Sequence, residues 1–277
     1  MTRSLDSLTE VARDFDAIVL DQWGVLHDGT RPYPGAVQAV ERLKALTRLA
    51  VLSNSGKRAD VNLDRIAAKG FAPDLFDVVM TSGEALWLDL TRQGKALSLY
   101  AIEGHPGDAA VWAKGLDITL VDDPTTADAI LLMGLPENAE TAAYMAILNA
   151  TGALPVYCTN PDRASPRAGG VTVTSPGALA HTHAEAGGRV IFYGKPHTAV
   201  FRAVADALGA VPERLLMVGD SFEHDIAGGH GAGWSTAFVE GGLHTARFAN
   251  ADRMETVQTL AQEAAAPPPN FTLRSLS

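Results

Sequence analysis

The chain has 277 residues, 47% of them hydrophobic and 19% charged, so it can bury a large core and is not a globally disordered protein. Its formal net charge of −10 argues against a nucleic-acid-binding protein, whose surface would be basic. The single cysteine, Cys158, excludes an intramolecular disulfide and favours a reducing compartment. No apolar run approaches the roughly 18 residues needed to cross a bilayer, and the N-terminus lacks a secretory apolar region. These features predict a soluble, cytoplasmic protein without a membrane or nucleic-acid partner.

Strand and helix patterns alternate over the first part of the chain. A short amphipathic helix at 4–14 precedes an apolar run at 16–20 that is typical of a fully buried strand. Further strands are predicted at Leu49–Leu52 and Phe76–Met80, and helices at Tyr33–Thr47, at Lys57–Lys69 and from Thr81 onward. Strand–helix alternation with short joins predicts a doubly wound parallel sheet of the α/β class.

From about residue 88 to residue 188 the alternation continues in a segment that we interpret as a separate α/β domain inserted into the first. The segment has the length of a small domain. Strands are predicted at Leu97–Ala101, Ile118–Val121, Ala129–Met133 and Pro155–Cys158, and helices at Pro106–Lys114, Asn138–Thr151 and Ser175–Ala186.

The first pattern then resumes, with strands at Val190–Tyr193, Leu215–Val218 and Ser235–Val239. The proline-rich stretch Ala264–Asn270 is typical of a poorly ordered segment. The sequence therefore predicts a core domain made of residues 1–87 and 189–265, an inserted domain at 88–188 and a flexible tail at 266–277.

Four predicted strands of the core end in polar side chains: Asp21, Ser53, Lys195 and Asp220. Because the carboxyl ends of parallel strands meet at one edge of a sheet, where α/β proteins bind ligands, we expect these four groups to lie together. Two facing carboxylates repel each other, and Mg²⁺, which prefers carboxylate oxygens and water, relieves that repulsion. A lysine and a hydroxyl beside a metal ion are typical of phosphoryl-transfer sites.

Two more residues extend this predicted cluster. The backbone N–H of Asn54, next to Ser53 and near a helix start, suits an anionic oxygen. Asp225 follows Asp220 by five residues, where it can orient metal-bound water or Lys195. Alternatively, Asp225 is an acidic residue that complements the dipole of a following helix.

The order of the motifs resembles the haloacid dehalogenase superfamily. They are D-x-x-G-V-L from Asp21, S-N-S from Ser53, G-K-P around Lys195 and G-D-S-x-x-x-D-I around Asp220. A further pattern, T-N-P-D at 159–162, is similar to that of subclass IIA, which includes nucleotide and sugar-phosphate phosphatases. The resemblance spans nearly the whole chain.

This resemblance implies a role for each matching residue. Asp21 is the nucleophile that forms an aspartyl-phosphate, and Ser53 and Lys195 bind the phosphoryl group. Mg²⁺ is held by Asp21, Asp220 and the backbone carbonyl of Trp23. The inserted segment is the family's α/β cap, and substrate choice is set mostly there. The implied activity is Mg²⁺-dependent hydrolysis of a small phosphorylated metabolite, such as a sugar phosphate or a nucleotide. Near the return from the cap to the core, Asn160 and Asp162 either contact substrate or form a turn.

One position departs from the family pattern. Phosphatases of the haloacid dehalogenase superfamily carry a second aspartate two residues after the nucleophile, and here that residue is Trp23. The missing carboxyl normally protonates the leaving alcohol, a contribution of about 10²–10⁴-fold. Three interpretations stay open. The enzyme is a slow phosphatase, another residue such as His27 or Asp28 replaces the acid, or the chain binds a phosphorylated ligand without turnover.

Other signals are weaker. His181 and His183 are two apart in a predicted helix and so do not share a face, which disfavours a metal pair. The glycine-rich run 229–233 has the wrong context for a dinucleotide site and is interpreted as a helix stop. Arg58 is interpreted as a solvated helix residue that could also reach a phosphate, and Cys158 as a small buried strand residue. The sequence leaves open whether the chain forms a homo-oligomer.

Overall fold

The computed structural model describes residues 2–136, 139–166 and 172–276 of the chain. The chain forms two compact units. The first, here called the core unit, comprises Met1–Ser53, Leu63–Met80 and Lys195–Ser277. The second, the inserted unit, comprises Asn54–Asn62 and Thr81–Gly194.

The core unit is built on a seven-stranded sheet in the order β1-β14-β13-β12-β2-β3-β4. The neighbouring pairs from β1 to β3 are parallel, which confirms the predicted α/β class. The strands are β1 (Arg3–Ser4), β2 (Ala17–Leu20), β3 (Arg48–Ser53), β4 (Val78–Thr81), β12 (Leu215–Gly219), β13 (Ser235–Val239) and β14 (Phe271–Leu273).

The central strands carry nearly continuous apolar sequence because helices cover both faces of a parallel sheet. All residues of β2 and β12 are buried. The helices of this part of the chain are α1 (Ala36–Lys44), α2 (Ala59–Ala67), α7 (Thr198–Leu208), α8 (Ala227–Gly231) and α9 (Arg253–Glu263), of which α2 begins in the inserted unit.

The inserted unit has its own parallel five-stranded sheet in the order β11-β8-β7-β5-β6. Its strands are β5 (Leu97–Ile102), β6 (Ile118–Leu120), β7 (Ala129–Leu132), β8 (Val156–Cys158) and β11 (Val190–Phe192). An antiparallel pair, β9 (Ala164–Pro166) and β10 (Thr172–Thr174), lies between β8 and β11 in sequence. The helices are α3 (Ser82–Gln93), α4 (Asp108–Trp112), α5 (Thr141–Ala150) and α6 (Pro176–Glu185).

The structure differs from the sequence expectation at the second boundary of the insert. The strand predicted at Val190–Tyr193 was assigned to the core, whereas β11 pairs with β8 in the sheet of the inserted unit. A short apolar run is compatible with a strand of either sheet. Only the strand with which it pairs shows to which sheet it belongs. The boundaries that correspond to those predicted near residues 88 and 188 lie at Met80/Thr81 and at Gly194/Lys195, and Asn54–Asn62 also belongs to the inserted unit.

The expected flexible tail is wrong for residues 271–273. They form β14, which is inserted between β1 and β13. Leu273 is 1% exposed and belongs to the main hydrophobic core. The strand was not predicted because it is short and because one of its partners, β1, lies at the opposite end of the sequence.

Several smaller features also differ. The helix predicted at 4–14 consists of two 3₁₀ turns, Leu8–Glu10 and Ala12–Asp14, the first of which is closed by a capping box between Ser7 and Glu10. Helix α9 was not predicted. The predicted start of a helix at Asn138 lies outside the described residues, and α5 begins at Thr141. Within the described residues, no helix is both long enough and apolar enough to span a membrane.

Leu273→Ala tests whether the C-terminal strand belongs to the core. Truncating a buried leucine leaves a cavity, so we expect the free energy of unfolding to fall by about 2–5 kcal/mol in urea denaturation. Val211→Ala is the control, because Val211 is 56% exposed and its truncation should cost less than about 0.5 kcal/mol. Equal effects of the two substitutions would contradict a structured C-terminus.

Candidate active site

The centre of the site is the ammonium group of Lys195. Its Nζ atom donates one hydrogen bond to Asp21 Oδ1 and another to Asp225 Oδ1, both at 2.6 Å. Lys195 is 3% exposed, and Asp225 is fully buried. The three side chains therefore form one charged cluster from residues that are far apart in sequence.

The strand that precedes Lys195 belongs to a different sheet from the one predicted from the sequence. Lys195 was expected to follow a strand of the core sheet, but the preceding strand, β11, belongs to the inserted unit. Lys195 is the first residue of the final core segment and is joined to Pro196 by a cis peptide bond. Its side chain nevertheless lies with Asp21, at the carboxyl end of β2.

Asp225 is positioned by a helical turn, Phe222–Ile226, that follows β12. The N–H of Ile226 donates to the carbonyl of Ser221, five residues earlier. In that turn Asp225 Oδ2 accepts the N–H of Ser221 at 3.1 Å. A Cβ on Gly219 would lie 2.0 Å from Asp225 Cγ, so glycine is required there for the carboxyl group to fit.

Asp220 directly follows β12, the strand next to β2 in the sheet, and is 4% exposed. Its Oδ2 atom accepts the backbone N–H of Leu243 at 2.7 Å. Burial first, and then the negative charges of Asp21 and Asp225, raise the pKa of Asp220 well above its usual range.

The electrostatics of this cluster favour a cation. Asp21, Asp220 and Asp225 each place an oxygen within 4.8 Å of the others. Burial and the charge of Asp225 raise the pKa of Asp21 to about 6, although Lys195 opposes the shift. Burial by itself would lower the pKa of Lys195, but the charges of Asp21 and Asp225 outweigh it and raise that pKa. One lysine thus faces three carboxyl groups, and this excess of hard oxygen donors fits a divalent cation such as Mg²⁺.

The loop after Asp21 folds back on itself. The N–H of Leu26 donates to Gln22 O, and the N–H of Gly24 donates to the carbonyl of His27. Gly24 has a φ of 86°, in the left-handed region. The half-buried indole of Trp23 lies against Gly29, where a Cβ would be 2.8 Å from Nε1. Trp23 is therefore part of a tight turn.

His27 and Asp28, which the sequence suggests as alternative acids, are both engaged in this turn. His27 Nδ1 accepts the N–H of Gly29, which leaves the proton on Nε2. Burial and the charge of Lys69 lower the pKa of His27 to about 4. Asp28 accepts the N–H groups of Arg31 and Thr30, which lower its pKa. Neither residue is a protonated acid near neutral pH.

The predicted phosphate-binding and substrate residues divide between the units. Ser53 ends β3, the neighbour of β2, so it lies at the same edge of the core sheet as Asp21. In the inserted unit, Asn54 Nδ2 donates to Asp162 Oδ1 at 2.7 Å, and the N–H of Asp162 donates to Asn160 Oδ1 at 3.2 Å. The T-N-P-D loop is thus bound to the loop that follows Ser53.

Three of the weaker signals have structural roles. Arg58 is not a solvated residue: its guanidinium makes two hydrogen bonds to Glu84 and lies 3.8 Å from the centre of the Trp87 ring. The glycine run 229–233 ends α8, as predicted. Cys158 is buried in β8, where burial raises the pKa of its thiol to about 12.

The two histidines of α6 have different surroundings. His181 Nε2 lies 3.1 Å from the carbonyl oxygen of Pro161, and its ring stacks on Phe192. His183 is 3% exposed, and neither of its ring nitrogens has a hydrogen-bond partner among the described residues.

Comparison with known proteins agrees with this geometry. The pattern of the haloacid dehalogenase-like hydrolases matches residues 15–233, and a HAD-hydrolase-like pattern matches residues 192–275. The chain belongs to the haloacid dehalogenase-like hydrolase family. The resemblance that its motifs indicated is therefore confirmed, and with it the interpretation as an α/β core with a cap.

Three known proteins illustrate how far the similarity extends. Human chronophin is 30% identical over 254 residues, which cover 86% of this chain and 85% of chronophin. An acid sugar phosphatase of Staphylococcus epidermidis is 26% identical over 239 residues, covering 84% of this chain and 89% of that protein. The crystal structure of a haloacid dehalogenase-like hydrolase from Brucella suis superposes with a TM-score of 0.78 at 26% identity, covering 99% and 100% of the two chains.

The unpartnered His183 predicts a loss of stability in acid. Burial lowers its pKa in the folded state, so below about pH 6.5 the unfolded chain binds a proton that the folded chain takes up only at lower pH. We expect His183→Leu to reduce the fall in the thermal unfolding midpoint between about pH 7 and pH 5. The control is His230→Gln, at an exposed position. If the unfolding midpoint of His183→Leu fell as steeply with pH as that of the wild type, protonation of His183 would not be the cause of the loss of stability in acid.

Proposed function

We propose that this protein is a Mg²⁺-dependent phosphatase that hydrolyses a small phosphorylated metabolite through an aspartyl-phosphate on Asp21. The observation that carries the proposal is the cluster in which Lys195 Nζ lies 2.6 Å from both Asp21 and Asp225, beside the buried Asp220. A nucleophilic carboxylate, a fixed ammonium group and spare oxygen donors for a cation are the parts that phosphoryl transfer requires.

The chemistry begins at the carboxylate of Asp21. One of its oxygens attacks phosphorus, the bond between phosphorus and the ester oxygen breaks with its electron pair left on that oxygen, and the leaving group departs as an oxyanion that takes a proton from water. Water then attacks the phosphorus of the acyl phosphate, inorganic phosphate is released, and the Asp21 carboxylate is regenerated. Lys195 holds Asp21 in place and neutralises charge on the phosphoryl oxygens, and Asp225 fixes the ammonium group of Lys195. Ser53, at the same sheet edge, supplies a hydroxyl for one phosphoryl oxygen.

The cation has a defined set of protein ligands in this proposal. Asp21, Asp220 and the carbonyl of Trp23 would hold Mg²⁺, while Asp225 orients the surrounding groups. When bound, the ion neutralises the facing carboxylates and the phosphate charge. The raised pKa values of Asp21 and Asp220 support this assignment, because burial first, and then the charges of neighbouring carboxyl groups, disfavour their ionised forms, and a bound cation would offset that cost.

The leaving group limits the rate in this proposal. With Trp23 at the position of the usual acid, and with His27 neutral and Asp28 ionised, the loop offers no protonated carboxyl to a departing alcohol. Esters of acidic alcohols, which leave without a proton, therefore react fastest, and alkyl esters such as sugar phosphates react slowly. We infer a sugar phosphate or similar metabolite as the natural substrate, since one relative is an acid sugar phosphatase.

Asp21→Asn tests the nucleophile. We expect hydrolysis of 4-nitrophenyl phosphate by the wild type to require Mg²⁺, and the variant to lose at least about 10³-fold in kcat, because an amide cannot form the acyl phosphate. The matched control is Asp64→Asn, at an exposed position of α2, which should retain wild-type activity. Tight binding of a phosphate ester by the wild type without metal-dependent turnover would instead indicate a binding or regulatory protein.

Trp23→Asp tests the missing acid. Restoring a carboxyl there should raise kcat/KM for an alkyl phosphate by about 10²-fold or more, and raise it much less for 4-nitrophenyl phosphate, whose leaving group needs no proton. Trp23→Phe serves as the control, since it keeps an aromatic ring without adding an acid. An equal gain, or none, on both substrates would mean that another group already protonates the leaving alcohol or that the indole is needed for the fold of the loop.

A further inference from the structure

We propose that Gly242 and the backbone N–H of Leu243 are positioning elements for Asp220, and that this loop sets the divalent-cation affinity of the site. This inference rests on the proposed function, because it assigns Asp220 to the cation. It adds a segment, 240–245, that no motif of the sequence analysis identified.

Direct contact with the carboxyl group of Asp220 supports the first part. The Leu243 N–H donates to Asp220 Oδ2 at 2.7 Å. A Cβ on Gly242 would lie 2.2 Å from the same oxygen and 2.7 Å from Cγ. A Cβ on Gly24 would lie 1.7 Å from that oxygen. The carboxyl group is therefore packed against two glycines, and any side chain at Gly242 must displace it.

The loop itself is anchored to the C-terminal part of the core unit. Glu240, at its start, receives two hydrogen bonds from Arg253, at 2.8 Å and 2.7 Å, and one from the hydroxyl of Thr272 at 2.8 Å. The N–H of Glu240 also donates to Leu273 O. Strand β14 and helix α9, which the sequence did not predict, thus fix the point from which the loop departs.

The far side of the loop is closed by a turn. Both the N–H and the hydroxyl of Thr245 donate to the carbonyl of Gly242, at 3.1 Å and 2.6 Å. The Leu243 side chain is 56% exposed, so it contributes little to the core. The segment acts on Asp220 through its backbone, which holds one carboxyl oxygen and so orients the carboxyl group.

Gly242→Ala is the direct test, and Gly231→Ala is its matched control, because a Cβ on Gly231 meets no atom within 4 Å. We expect isothermal titration with MgCl₂ to give a dissociation constant at least about tenfold weaker for Gly242→Ala and unchanged for Gly231→Ala. Circular dichroism and the metal-free unfolding midpoint report whether each variant is folded. Wild-type affinity in a folded Gly242→Ala protein would overturn the inference.

Thr245→Val tests the same effect of the loop on Mg²⁺ affinity if Gly242→Ala does not fold. Thr245 is exposed, and its loss removes one of the two hydrogen bonds that hold the Gly242 carbonyl. We expect Mg²⁺ binding to weaken about threefold or more, and unchanged binding would overturn the inference. The same titration of the wild type separates the two proposals. A wild type that binds no Mg²⁺ contradicts both, whereas equal binding by the wild type and the loop variants contradicts only this one.

Discussion

The structure of the site depends on one ion-pair arrangement, in which a buried lysine is shared by two carboxylates. Lys195 Nζ bonds Asp21 and Asp225 at equal distances of 2.6 Å. A lysine buried to 3% exposure without such partners would lose its charge, and carboxylates buried without it would be protonated. The pairing therefore keeps charged groups inside the core unit. It still leaves more carboxyl groups than cations, and this imbalance is what makes the cluster a candidate metal and phosphate site.

The backbone around the cluster is shaped to let these groups approach one another. Glycines occupy the positions where a Cβ would collide with a carboxyl group of the cluster: Gly219 against Asp225, and Gly24 and Gly242 against Asp220. Backbone N–H groups of Ser221 and Leu243 then fix the orientation of those carboxyl groups. Precision in the site thus comes from the loops that follow parallel strands, and the sheet supplies the rigid base for them.

Much of the core fold could be predicted from sequence because its central strands are continuous apolar runs that end in polar residues. Asp21 and Asp220 follow adjacent buried strands, and parallel pairing brings their ends together as expected. Local patterns could not reveal features that depend on partners distant in sequence. β14 needs β1 and β13 to be recognised as a strand, β11 joins a different sheet from the one expected, and Gly242 is important only because Asp220 lies against it.

A crystal structure of the wild type with Mg²⁺ and beryllium fluoride, a mimic of an aspartyl-phosphate, tests the central claim most directly. We expect beryllium to be bonded to a carboxylate oxygen of Asp21, with Lys195 Nζ against the fluorides and Mg²⁺ between Asp21 and Asp220. Beryllium fluoride bound elsewhere, or carboxyl groups with no ion between them at saturating Mg²⁺, would contradict it.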